Sequence, residues 1–204
     1  VGKYRLGPAK LPETLHWFKW EAYSTWLSGM VLLVLIFYVG ADTYLIDPRI
    51  SELSRIEAII FGISFIIGGW LLYELLCSTA IVTNGAAIAL CLTFSAAVAS
   101  WALTSLFSGR GAFIHLGAMI GTIMAGNVFR VIIPSQRALV SAIEAGEELD
   151  PAWGAKAKLR STHNNYLTLP ILFIMISNHY PMTYAHTHNW LILLALIVIS
   201  AYAR

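Results

Sequence analysis

Residues 160–166 read Arg160-Ser161-Thr162-His163-Asn164-Asn165-Tyr166, an unbroken run of hydrogen-bonding side chains over about two helical turns. Histidine exchanges a proton near neutral pH, tyrosine donates a hydrogen bond, and an arginine fork pairs with planar anions. His163 and Tyr166 stand at i,i+3 spacing and share a helix face. A solvated turn would account for Arg160 and Ser161. It does not account for a histidine, two amides and a phenol entering an apolar run. Ser177-Asn178-His179-Tyr180-Pro181 repeats this character at the far end of that run. The two clusters are about 24 Å apart along a helix, too far for one site.

Other polar residues sit where apolar neighbours make them expensive. Asn127 lies within an apolar stretch with Arg130 close behind, and reads either as an interhelical hydrogen bond or as a site residue. His115 reads as a structural histidine or as a haem ligand. His16 and Glu21 are embedded in an aromatic segment whose Trp17, Trp20 and Tyr23 suit a membrane-interface belt. Glu74 reads as snorkelling or paired. His186 and His188, two apart in a short loop, are weak evidence for a metal, and no metal site is expected. Cys77 and Cys91 lie in apolar runs without metal or haem-attachment spacing and read as small buried hydrophobes. No dinucleotide fingerprint, phosphate loop or nucleophile elbow occurs.

The elements that position these residues are set by composition. Hydrophobic residues make up 58% of the 204-residue chain and charged residues 12%, about half the usual quarter. A soluble domain of this size could not hide so much apolar surface, whereas a bilayer needs none hidden. The expected fold is all-α: one polytopic transmembrane bundle, residues 1–204, with about six spans of roughly 20 residues. They fall near 23–45, 56–77, 80–107, 112–133, 164–178 and 189–203. Gly117-x-x-x-Gly121 marks a close helix contact. Segment 134–163 is a long loop with structure of its own, a short surface helix near 138–148 and a second starting at the N-cap Asp150-Pro151. The net charge of +2 is too small for a nucleic-acid partner. No cleavable signal opens the chain, and its end inside or just past an apolar helix reads as that of a fragment.

Positive charge sets the orientation. Lys3, Arg5, Lys10 and Lys19 precede the first span, and Arg130, Arg137, Lys156, Lys158 and Arg160 flank the long loop. An even number of crossings puts both groups, with Arg204, on one side, expected to be cytoplasmic.

The chain resembles the N-terminal membrane domain of bacterial membrane-bound, cytochrome c-linked urate oxidases. The resemblance rests on Lys10-Leu-Pro-Glu-x-Leu-His-Trp-Phe-Lys-Trp-Glu-Ala-Tyr23, Tyr44-Leu-Ile-Asp-Pro48 and Asn127-Val-Phe-x-Val-Ile-Ile-Pro-x-Gln-Arg137. It rests above all on Arg160-Ser-x-His-Asn-Asn-Tyr-x-Thr-Leu-Pro170 and Met175-Ile-Ser-Asn-His-Tyr-Pro181. It implies an eight-helix domain of the bacterial inner membrane followed by a periplasmic cytochrome c domain carrying haem c. This chain would lack the first helix, part or all of the last, and the haem domain. The implied reaction oxidises urate to 5-hydroxyisourate and passes electrons to cytochrome c.

Urate is a planar anion with many donors and acceptors. Arg160, Asn164, Asn165, Gln136 and Arg137 are expected to bind it, with His163 and Tyr166 as catalytic residues. Two rival classes remain open. One is a b-type haem electron-transfer subunit with His16, His115, His163 or His179 as axial ligands. The other is a purine or organic-anion transporter with Asn127 and Arg130 along its path. The topology predicts that Ser141→Cys resists labelling by an impermeant maleimide added outside intact cells. Ready labelling there would reverse the orientation.

Overall fold

A computed structural model describes residues Phe18–Arg204, and among them every regular element is helical. The elements are α1 (Lys19–Leu33), α2 (Ala41–Tyr44), α3 (Arg55–Ser78), α4 (Gly85–Leu106), α5 (Gly109–Asn127), α6 (Ile133–Ala145), α7 (Pro151–Ser177), α8 (Pro181–Tyr184) and α9 (Asn189–Ala203). Wider π-helical turns, Val34–Tyr38 and Val128–Ile132, extend α1 and join α5 to α6. The expected all-α bundle is what is found. Lys3, Arg5, Lys10 and His16 lie outside the described residues, whereas Lys19 opens α1.

Local chemistry sets the helix starts. Ser54 opens α3 in a capping box: Glu57 N–H donates to its Oγ at 3.3 Å, and Ser54 N–H donates to Glu57 Oε2 at 2.9 Å. Asn84 accepts from the Ala86 and Ala87 amides at the head of α4, at 3.1 and 3.2 Å. Asp150 caps α7 through the Ala152 amide at 2.8 Å, with Pro151 at the first helical position as its sequence predicts. Gly146, at φ 68°, takes the left-handed conformation that closes α6.

Pro134 does not end a helix. The chain runs as one helical rod from Gly109 to Ala145, because the π-turn at Val128–Ile132 widens the ladder just before the proline. A wider turn relieves the clash between a proline ring and the carbonyl four residues back. Segment 134–163 is therefore a helical hairpin, with α6 packed on α7.

Among the described residues four helical stretches are long and apolar enough to cross a bilayer: Lys19–Tyr38, Arg55–Ser78, Gly85–Leu106 and Gly109–Ala145. α9 is equally apolar but spans 15 residues, and α7 spans 27 residues with a polar first half. Large apolar side chains cover the outside, among them Val31, Leu35, Ile67, Leu71, Phe94 and Ile199. So continuous an apolar surface matches lipid, and the chain is built as a membrane protein.

α5 forms the centre, packed against α1, α3, α4 and α7. Gly117 and Gly121 let α7 approach: a Cβ at Gly117 would lie 3.1 Å from Ile174 Cγ2, and one at Gly121 3.3 Å from Ile171 Cδ1. The small-residue spacing seen in the sequence is thus the α5–α7 seam. A side chain at Gly117 must force that seam apart, whereas Gly85 has open space around it. Gly117→Leu is expected to destabilise the domain by about 1–3 kcal/mol. Gly85→Ala should leave the melting temperature unchanged or raised. Equal melting of the two variants in detergent would contradict the packing.

Candidate functional site

One end of the bundle carries Arg130, Arg137, Lys156, Lys158, Arg160 and Arg204, and is called the basic end below. There three helices are joined by side chains that must satisfy one another. Arg160 of α7 is 8% exposed. Its two terminal nitrogens donate to the two carboxylate oxygens of Glu74 on α3, each at 3.0 Å. Nη1 also donates to Asn127 Oδ1 of α5 at 3.0 Å, and the guanidinium lies 4.9 Å from the centre of the Tyr73 ring. The fork meets a carboxylate in bidentate fashion and a π face, the geometry that suits a buried guanidinium.

Asn127 is fully buried and extends the network. Its Nδ2 donates to the Tyr73 hydroxyl at 2.9 Å and to Asn164 Oδ1 at 2.8 Å. Asn164 Nδ2 donates in turn to the Met124 carbonyl at 3.0 Å. Tyr73 then meets His163 Nδ1 at 2.9 Å, with the rings edge to face. Helical periodicity on α7 puts Arg160, His163 and Asn164 on one side, toward α3 and α5.

Beside this network opens a cavity of about 1270 Å³. Its walls come from α3, α4, α5, α7 and α9 and are mostly apolar. Tyr73, Lys158, Thr162, His163 and Tyr166 line its basic end. Among the expected site residues, His163 and Tyr166 face the cavity, while Arg160 and Asn164 belong to the network behind its wall. Asn165 lies elsewhere, accepting from Arg204 Nε at 3.1 Å and Nη2 at 2.6 Å. Gln136 and Arg137 are exposed on α6 and are not among the lining residues.

The sequence reading did not single out Tyr73 or Lys158. Tyr73 sits next to Glu74 near the end of an otherwise apolar run, and that adjacency is its only signal. Arg130 stacks on Trp70 instead, 5.3 Å from the ring centre.

The haem candidates fare differently. His115 is fully buried. Its Nδ1 pairs with the Gly111 carbonyl at 2.8 Å and its Nε2 with the Tyr38 hydroxyl at 3.3 Å. Phe37, Tyr38 and Phe107 rings lie 6.1, 5.6 and 5.1 Å from its own. Both ring nitrogens thus have a partner, and aromatic rings pack around the imidazole. His179 is exposed in the turn after α7. His186 Nδ1 accepts the His188 amide at 3.0 Å within its loop. Among the described residues no group of His, Cys, Asp and Glu converges as a metal site.

The Glu74–Arg160 pair makes a prediction of its own. Removing one member leaves an uncompensated buried charge, so Glu74→Ala is expected to destabilise the domain by about 3–5 kcal/mol. The double variant Glu74→Leu, Arg160→Met should recover much of that loss. Thermal melting of the wild type and both variants checks it, and a double variant that melts no higher than Glu74→Ala would contradict the pairing.

The whole chain, residues 1–204, matches the family described as urate oxidase N-terminal. No match was found among curated proteins or solved structures. The chain belongs to the urate oxidase N-terminal family, and is thus a urate-related oxidoreductase domain built as a helical membrane bundle.

Proposed function

We propose that this domain binds urate at the basic end of its cavity and, within the full-length protein, oxidises it to 5-hydroxyisourate with electrons passed to cytochrome c. The domain lies in the bacterial plasma membrane with the basic end toward the cytoplasm. The observation that carries the site is His163: it faces the cavity beside Tyr166 while a buried network holds its other ring edge. A residue held on both its helix and its ring supplies the rigidity a site needs.

In this reading urate lies against Tyr166 and His163, and Lys158 brings positive charge to an anion that the neutral Glu74–Arg160 pair does not attract. Tyr73 and Asn164 hold the wall. Oxidation of urate adds the oxygen of water at C5 and releases two protons and two electrons. Lys158 and Thr162 line the basic end of the cavity, where those protons would be released. Cytochrome c, fused or separate, supplies a haem that takes the electrons. The chain itself carries no haem-attaching Cys-x-x-Cys-His.

The test uses full-length protein in membranes, with urate-dependent reduction of cytochrome c as the readout. His163→Leu is expected to lower kcat/KM about a hundredfold, the scale of losing one well-placed donor to a developing charge. A near-normal rate at wild-type abundance contradicts the site. Urate accumulation in vesicles without any reduction of cytochrome c contradicts the reaction.

A further inference from the structure

The hydrogen bonds at the basic end run in one direction only. A guanidinium donates and never accepts, so the Asn127 atom facing Arg160 Nη1 at 3.0 Å is its oxygen. A peptide carbonyl accepts and never donates, so the Asn164 atom facing the Met124 carbonyl at 3.0 Å is its nitrogen. Both ends fix the same amide orientations. Asn127 Nδ2 then uses one hydrogen on Asn164 Oδ1, at 2.8 Å, and the other on the Tyr73 oxygen, at 2.9 Å.

With its oxygen accepting from Asn127, Tyr73 has one proton left to give. Among the described residues the strong acceptor in reach is His163 Nδ1, at 2.9 Å, the neighbouring Cys77 sulfur being a weak one. That bond requires Nδ1 bare and places the ring hydrogen on Nε2. The opposite tautomer would make the Tyr73 oxygen accept twice and leave its buried proton only the weakly accepting Cys77 sulfur, a poor exchange for a ring nitrogen. Nε2 has no hydrogen-bond partner among the described residues, and His163 lines the cavity.

We infer that Tyr73 and Asn127 are positioning residues that fix His163 as an Nε2–H donor, and that this donor recognises an exocyclic oxygen of the bound anion. The oxygen chemistry is that of a purine carbonyl or its enolate form, and naming urate as its owner rests on the proposed function above. His163 on this account presents a hydrogen-bond donor to the ligand, and the relay from Arg160 holds that polarity. Charge accumulating on an exocyclic oxygen is met by a donor already oriented, which costs no reorganisation at the moment of reaction. The nearby Tyr166, on the same helix face, closes the other side of the ring.

The tautomer is read directly from ¹⁵N-histidine spectra of the full-length protein in lipid, without urate, with His163 identified by the signals lost in His163→Gln. The expected pattern is a protonated Nε2 and a bare Nδ1, turning to a tautomer mixture in Tyr73→Phe. A protonated Nδ1 in the wild type overturns the inference without any variant having to fold. Kinetics give the second arm. Glutamine carries an N–H at the position of Nε2, so His163→Gln should keep KM for urate within about threefold, and His163→Leu should raise it about tenfold or more. Equal impairment of the two at wild-type abundance also overturns it. If the spectra show the expected tautomer while urate is neither bound nor oxidised, the polarity of the network stands and the urate reading falls.

Discussion

A guanidinium buried between apolar helices is tolerable only where other groups replace the water it has lost. Arg160 finds that replacement in Glu74 of α3, Asn127 of α5 and the face of Tyr73. All three must be in place together, so one side chain sets the mutual rotation and depth of α3, α5 and α7 at the basic end. The rest of the site follows. With Arg160 locked inward, His163 one turn later meets Tyr73, Asn164 meets Asn127 and Met124, and Tyr166 faces the cavity.

Away from that end the bundle is held by shape. α5 brings Gly117 and Gly121 against Ile174 and Ile171 of α7, where lipid offers no hydrophobic drive to association and close contact must supply the attraction. Leu116, Leu103, Phe107 and Leu193 fill the interior with no exposure. The polar network and the glycine seam therefore divide the work on the same pair of helices. The network sets the register of α7 on α5, and the seam sets the distance. The π-turn after Asn127 adds a further adjustment, since it carries the chain past Pro134 into the α6–α7 hairpin.

Much of this was legible in the residues themselves. Hydropathy marked the helices, Asp150-Pro151 marked the start of α7, and Gly117-x-x-x-Gly121 marked its seam with α5. The polar cluster at 160–166 announced itself because so many hydrogen-bonding groups rarely enter an apolar helix. What stayed hidden was pairing. A tyrosine such as Tyr73 in an apolar run reads as core or interface, and nothing local says that its hydroxyl joins two other helices. Arg160 reads as an anion binder for the same reason, since only the fold reveals that Glu74 already fills its fork. Passage through Pro134 depends on hydrogen-bond register, which composition does not report.

For a urate-related oxidoreductase domain, this arrangement separates two tasks that a sequence reading merges. Arg160, Glu74, Asn127 and Asn164 build and orient the wall, and His163, Tyr166 and Lys158 face what enters. The most direct test is an experimental structure of the full-length protein with urate bound. The account predicts urate inside the cavity within hydrogen-bond reach of His163 Nε2, with the Arg160 fork still closed on Glu74 and Asn127. Urate found outside that cavity, or held by an Arg160 that has left Glu74, would contradict it.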